Sequence, residues 1–311
     1  MESFKTLWPW MRLVRLPNLL TVPGDPVAGF LLASATQGRA PHFSRLAAAA
    51  GASLCLYAFG LILNDIVDIE EDARERPERP LPSGAVTVPQ ARMAAIVMAL
   101  SGFNLALFAG RVPLFVAAAL GGAIIAYNAG VKRLPLAGVL CMGLCRGLSL
   151  LLGAAAACPD VVSQPWRSQI PVYTAVAVLA LYVAGFSVVA LRETEPELDQ
   201  GKARWAPFLV LLAGLPAVLI AAHATGGRLD GLAPTVFVFL MVMTLMRAWL
   251  LGGIMYRCQP VPESVAGHIR NLLMVQACFC VAAGTRGIIP ALAFVLLSFV
   301  FRRLSRSFYS S

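Results

Sequence analysis

Asn64-Asp65-Ile66-Val67-Asp68-Ile69-Glu70-Glu71-Asp72 follows an apolar run, Leu46 to Leu63, that is long enough to span a bilayer. About 20 such residues cross as a helix. If the helical phase continues into the polar stretch, Asn64, Asp68 and Asp72 fall at i, i+4 and i+8 and form one oxygen-rich stripe. Carboxylates grouped at a membrane boundary are costly unless they face water, a cation or each other. Oxygen donors suit a hard ion such as Mg²⁺, which commonly takes one or two carboxylates together with substrate phosphates. The stripe therefore points to a phosphorylated or diphosphate substrate handled at the membrane surface. A merely solvated loop, its acids balanced by Arg74, Arg76 and Arg79, would account for the charge but not for the register. The next segment, Arg79-Pro80-Leu81-Pro82-Ser83-Gly84, has the residues of a rigid turn.

The rest of the chain is consistent with a membrane setting. Its 311 residues are 59% hydrophobic and 13% charged, with a mean hydropathy of +0.75, whereas soluble domains average about 25% charged residues. No polar stretch exceeds a loop, so residues 1–311 read as a single polytopic membrane domain. Apolar runs fall at 17–36, 43–63, 90–109, 112–128, 135–157, 170–191, 206–224, 232–256, 265–283 and 288–303. Pro23 and Pro26 should break or kink the first helix. The run 265–283 carries His268, Arg270, Asn271 and Gln276, and an interfacial position is an alternative for it. Met1 to Asn18 is too polar and aromatic for the apolar core of a signal peptide.

The formal net charge is +9, but the basic residues are spread over short loops, so a nucleic-acid partner is not expected. With Lys5, Arg12 and Arg15 on the cytoplasmic side, alternate loops carry Arg74, Arg76, Arg79 and Arg92; Lys132 and Arg133; Arg192, Lys202 and Arg204; Arg257 and Arg270. That asymmetry follows the positive-inside rule and makes loops 64–92 and 192–205 cytoplasmic. The basic tail Arg302, Arg303 and Arg306 favours ten crossings over nine. Cysteines such as Cys141 and Cys145 lie inside apolar runs at helical spacing and read as small buried hydrophobes.

Three further constellations bear on chemistry. Glu195-Pro196-Glu197-Leu198-Asp199 places Glu195 and Asp199 at i, i+4 in the second acidic loop. Alone this is ordinary chemistry for a helix N-terminus; beside the first stripe it suggests a second metal bridging one diphosphate. In Tyr127-Asn128-Ala129-Gly130-Val131-Lys132-Arg133, the two bases either anchor the loop or neutralise a leaving diphosphate. Arg146 and Arg247 lie mid-helix, where a lipid-facing arginine costs about 2.5–3.5 kcal/mol on insertion scales; each should face a polar cavity or an acidic partner. Arg15-Leu16-Pro17-Asn18, where the first helix begins, is a further candidate for the cavity wall.

Taken together, these residues resemble the UbiA superfamily of intramembrane prenyltransferases. Asn64-Asp65-x-x-Asp68-x-x-x-Asp72 is similar to that family's first aspartate-rich motif, and Tyr127 to Arg133 to its tyrosine-lysine motif. Glu195-x-x-x-Asp199 stands where the second DxxxD motif is expected. Here Glu195 replaces the usual aspartate and Pro196 is present, so Glu193-x-x-x-Glu197 is an alternative register. The resemblance covers nearly the whole chain. It implies an all-α integral membrane protein, usually a bundle of nine transmembrane helices around a central cavity open to the cytoplasm; with the tenth crossing that the charge pattern favours, the expectation is nine or ten transmembrane helices in the inner (cytoplasmic) membrane with the site facing the cytoplasm. It also implies a Mg²⁺-dependent enzyme that transfers a prenyl group from a polyprenyl diphosphate to an aromatic or other lipophilic acceptor.

On that reading Asn64, Asp68, Asp72, Glu195 and Asp199 hold metal. Lys132, Arg133 and Tyr127 are catalytic, and Arg15, Asn18 and Arg146 bind substrate. Tyr57, Phe59 and Tyr127 are candidates to shelter an allylic cation. The rival readings are a terpene cyclase using the same motifs without an acceptor, and a non-catalytic lipid-binding or transport protein.

Overall fold

The computed structural model describes residues 2–37, 42–157, 166–191, 203–225, 231–253 and 261–309. Among them the regular elements are all helical: α1 (Glu2–Leu13), α2 (Leu16–Leu19), α3 (Gly24–Gln37), α4 (Phe43–Val67), α5 (Ile69–Glu75), α6 (Val88–Ala109), α7 (Arg111–Ala129), α8 (Pro135–Ala157), α9 (Ile170–Leu191), α10 (Ala206–Ala224), α11 (Ala233–Gly252), α12 (Val261–Ala282) and α13 (Ile288–Tyr309), with short 3₁₀ turns between some of them. Among the described residues, nine stretches are long and apolar enough to cross a membrane, from Leu16–Thr36 to Glu263–Ala282. The tenth apolar run lies mainly in α13, where the apolar stretch Thr285–Phe301 is shorter.

The first crossing is broken as its prolines require. α2 stops at Leu19 and α3 starts at Gly24, which leaves backbone carbonyls without helical partners. Side chains from distant helices satisfy one of them: Thr21 O accepts from Arg146 Nη2 at 3.0 Å and from Gln276 Nε2 at 2.7 Å.

The stretch 265–283 is not interfacial. As α12 it packs against α3, α9, α10, α11 and α13, and its polar residues His268, Asn271 and Gln276 are buried inside the bundle. Those three side chains bond to groups on other segments of the bundle, His268 and Asn271 to Tyr182 and Gln276 to Thr21 and Asp25.

α8 packs against α3, α7 and α9, and α4 against α6 and α7. One apolar cluster joins α3, α8, α9, α10, α11, α12 and α13; a second joins α3, α4, α6, α7 and α8. Between helices in lipid the attraction comes largely from van der Waals contact, so small residues mark the closest approaches. A Cβ on Gly29 of α3 would lie 2.0 Å from Leu150 O, and one on Gly153 of α8 would lie 1.9 Å from Pro26 O. These two backbones touch, and their contact fixes what lies beside it.

The segment after the acidic stripe is a turn, as its prolines and glycine require. Ser83 N donates to Arg79 O at 3.0 Å, and Val86 N to Pro80 O at 3.0 Å. Gly84 has φ +75°, a value that favours glycine. Leu81 and Val86 are buried against Leu13, Ile62, Ala91 and Ala95. A capping box then starts α6: Thr87 and Gln90 each accept, through the side chain, from the other's backbone N–H.

Candidate active site

A cavity of about 330 Å³ runs between α4, α7, α8, α9 and the broken first crossing. Its wall is mostly apolar, with Leu61, Leu120, Ile124, Met142, Val183 and Leu272 among the lining residues. Polar groups gather in two places, a rim near the end of α4 and an inner pole on α3 and α8.

The rim is built by the acidic stripe. α4 ends at Val67 and α5 starts at Ile69, so Asp68 is a joint rather than a mid-helix residue. The ladder nevertheless bridges the joint: Asp68 N donates to Asn64 O at 2.9 Å, and Asp72 N to Asp68 O at 2.8 Å. Lys132 Nζ donates to Asp68 Oδ1 at 2.5 Å and to Asn64 Oδ1 at 3.2 Å. Lys132 reaches this position from the 3₁₀ turn Val131–Arg133, entered through Gly130 at φ +147°. Asp72 is drawn aside, with both its oxygens accepting from Arg79 Nη1 at 2.7 and 2.6 Å. Asp65, one residue from Asn64, accepts from Arg15 Nη2 at 3.3 Å. Arg15 occupies the left-handed region at φ 46°, ψ 59°, a strained position for a non-glycine residue, at the joint between α1 and α2. Each of Asp65, Asp68 and Asp72 thus has a basic partner.

The inner pole is more deeply buried. Asp25, fully buried, pairs with Arg146, with Nε 2.9 Å from Oδ2 and Nη2 donating to Oδ1 at 3.1 Å. Gln276 Nε2 donates to the same Oδ1 at 2.6 Å. One turn along α8 from Arg146, Ser149 Oγ lies 2.6 Å from Ser53 Oγ of α4. Arg146, Ser149 and Ser53 all line the cavity. Arg146 therefore has both surroundings that its position in the sequence demands, an acidic partner and a polar cavity.

The described candidates mostly converge. Arg15, Asn18, Asn64, Tyr127 and Arg146 line the cavity, and Lys132 is bonded to the Asn64 and Asp68 oxygens. Arg133 is exposed beside Lys132. Glu195 and Asp199 lie outside the described residues. Of the aromatic candidates, Tyr57 and Tyr127 face the cavity. Phe59 does not; it packs into the apolar clusters around α4. Phe186 lines the wall instead, stacked on the buried His268 ring at 5.9 Å and 5°. Tyr182 OH lies 3.1 Å from His268 Nδ1 and accepts from Asn271 Nδ2 at 3.2 Å. Asn128, also on the wall, donates to its own Ile124 O at 2.9 Å, and its Oδ1 is buried without a partner among the described residues.

Asp25, Asp65 and the Ser53–Ser149 pair are not among the candidates drawn from the sequence, and Arg79 enters there only as a base balancing the loop acids, which it does for Asp72. Asp25 carried a usable signal: an acid inside the first apolar run needs a partner, and Arg146 was a base in the same position. Asp65 sits inside the quoted motif but off its i, i+4 register. The serines gave no signal, since serine is common in membrane helices.

Among the described residues no group of three or more His, Cys, Asp or Glu side chains gathers as a metal site, so what the rim offers a cation is the pair of oxygens on Asn64 and Asp68. Asn64 Oδ1 and Asp68 Oδ1 converge on a single cationic nitrogen, and hard oxygen donors of this kind suit a hard cation.

A model of the UbiA prenyltransferase family matches residues 26–203, more than half of the chain. The protein belongs to that family. Among its relatives, the digeranylgeranylglyceryl phosphate synthase of Ignicoccus hospitalis is 33% identical over 158 residues, 50% of this chain and 50% of that protein. The enzyme of the same name from Methanopyrus kandleri is 34% identical over 146 residues, 47% and 52% of the two chains. The chain spans about half the length of the curated relatives it matches.

Two solved structures share the fold. One, from work on digeranylgeranylglyceryl phosphate synthase in membranes, gives a TM-score of 0.60 at 18% identity, covering 96% of this chain and 99% of that one. The other, an apo UbiA homologue from Aeropyrum pernix K1, gives 0.64 at 21% identity, covering 84% and 96%.

Proposed function

We propose that this protein transfers a prenyl group from a polyprenyl diphosphate to a lipophilic acceptor inside the membrane. The observation that carries this reading is the rim, where Asn64 and Asp68 hold the ammonium of Lys132 at the edge of a mostly apolar cavity. A diphosphate needs cations, a prenyl chain needs an apolar wall, and an allylic cation needs protection from water.

Asn64, Asp68 and Asp72, with Glu195 and Asp199, are the residues assigned to Mg²⁺. When bound, Mg²⁺ would neutralise diphosphate charge and make it a better leaving group. Lys132 and Arg133 are assigned to the diphosphate oxygens, with Arg15 and Asn18 beside them. Once Lys132 turns to phosphate, the Asn64 and Asp68 oxygens are free for metal, so a single rotation serves both needs. Tyr127, Tyr57 and Phe186 offer aromatic faces to developing positive charge. The distribution of basic residues supports a cytoplasmic-facing site in a cytoplasmic membrane. The relatives' names refer to a prenylated glyceryl phosphate, which supports a non-aromatic acceptor over an aromatic one.

The test is incubation of the purified protein in nanodiscs with Mg²⁺ and labelled geranylgeranyl diphosphate, with and without a lipid extract. Diphosphate release together with a prenylated lipid is the expected result. A released hydrocarbon would make the protein a cyclase, and the absence of diphosphate release would refute the transfer reaction.

A further inference from the structure

We infer that the inner pole is the acceptor subsite, and that it takes an uncharged hydrogen-bonding group, such as a hydroxyl, ether or amide, and not a carboxylate or phosphate. The inference rests on the prenyl-transfer reading for the word acceptor and on the geometry for the rest. The prenyl chain has no polar atom to place there. The diphosphate is highly anionic and belongs with Lys132 and Arg15 at the rim. A polar pocket at the other end of the cavity is left for the second substrate.

Its charge selects the guest. Arg146 alone would attract an anion, but Asp25 already neutralises it through two contacts at 2.9 and 3.1 Å. The pair is buried and its net charge is zero. An anion brought beside it would lose its hydration without gaining an opposite charge. A neutral group meets no such penalty. Hydrogen bonding is available to it. Of the five N–H bonds of a guanidinium, those on Nη2 go to Asp25 and Thr21, Nε lies in ion-pair contact with Asp25 without making a hydrogen bond, and we assign Nη1 to the guest. The Ser53–Ser149 contact at 2.6 Å uses one of the pair's two hydroxyl protons, and the oxygens keep lone pairs that accept from a guest hydroxyl or amide. In an acceptor that also carries a phosphate, the phosphate stays at the basic rim while its neutral part enters.

Octanamide and octanoate test this, because they share a shape and differ in charge. Binding of each labelled compound to the full chain in nanodiscs is measured by equilibrium dialysis without Mg²⁺ or diphosphate, against protein-free discs. The expected result is at least tenfold tighter binding of octanamide. Ser149→Ala should weaken octanamide about two- to tenfold, the range of one hydrogen bond, and leave octanoate unchanged. Asp25→Asn exposes the arginine charge and should shift the preference at least tenfold towards octanoate. If Asp25→Asn does not fold, the Ser149→Ala comparison decides alone. Equal or tighter binding of octanoate by the unaltered protein, or indifference of octanamide to Ser149→Ala, overturns the assignment. Diphosphate release is assayed separately on the same discs. Selective octanamide binding without release would leave the pocket standing and remove the transfer reaction; release without octanamide binding would do the opposite.

Discussion

Lys132 Nζ lies 2.5 Å from Asp68 Oδ1 and 3.2 Å from Asn64 Oδ1, so a lysine that follows the fourth apolar run holds the two oxygens with which the acidic motif begins. The two side chains are 14% and 23% exposed. A pair at this intermediate burial is worth more than a fully exposed one and less than a fully buried one. Asp68→Ala should therefore lower the thermal midpoint in detergent by less than breaking the fully buried Asp25–Arg146 pair does, while lowering diphosphate release by about 100-fold or more, the usual scale for losing a preorganised charge contact. Turnover near the original rate in a folded Asp68→Ala protein would remove Asp68 from the site.

Lys132 competes with metal for the same oxygens. Lys132→Met should tighten Mn²⁺ binding, read by electron paramagnetic resonance, and at the same time slow diphosphate release, because one neighbour of the diphosphate is lost. The two effects have opposite signs. Weaker Mn²⁺ binding in this variant would mean that the lysine supports the metal site and does not occupy it.

Chelation should stop diphosphate release altogether, and added Mg²⁺ should restore it. Ca²⁺ should restore less, since it prefers more ligands at longer distances than Mg²⁺. Full activity in excess chelator would exclude the metal assignment of Asn64, Asp68 and Asp72.

Glu195 and Asp199 are expected to complete the site from the second acidic loop. Glu195→Asp should retain part of the activity, because oxygen ligation survives the shorter reach. Glu195→Gln and Asp199→Asn should lose more, because negative charge is removed. Single cysteines in 64–92, 129–134 and 192–205 should react alike with an impermeant thiol reagent in sealed vesicles. Reaction of just one of these loops from the opposite side would separate the two acidic groups.

The inner pair can be tested through stability. Arg146→Met leaves Asp25 buried and uncompensated and should cost about 3–5 kcal/mol, as breaking a buried pair does. Adding Asp25→Leu should recover much of that loss, because a well-packed apolar replacement can match a buried ion pair. Unfolding midpoints of the two single variants and the double variant give the coupling. Additive losses would show that the two residues act independently.

Much of this was legible in the sequence because charge in lipid is rare. Hydropathy located the helices, and the i, i+4 register brought Asn64 and Asp68 together. The arginine inside α8 announced a partner. Side-chain geometry after a break was not legible. Nothing in the spacing of Asp68 and Asp72 tells that the helix is interrupted at Asp68, or that Arg79 takes Asp72 away from the other two. His268, Asn271 and Gln276 made 265–283 look interfacial because polarity alone does not distinguish water from a neighbouring helix. Phe59 was a candidate on aromatic character alone and Phe186 was not named, because only packing shows which aromatic ring lines the cavity.

The close approach of Gly29 to the Leu150 backbone, and of Gly153 to the Pro26 backbone, has a consequence for how the chain can vary. With no side chain between them, α3 and α8 are locked like two notched rods, and Asp25 sits about one turn from Gly29 while Arg146 sits about two turns from Gly153. Inserting one residue between Asp25 and Gly29 would swing Asp25 about 100° around its axis, away from its partner, even with every side chain retained. The length of that short segment should therefore be less tolerant of change than its composition.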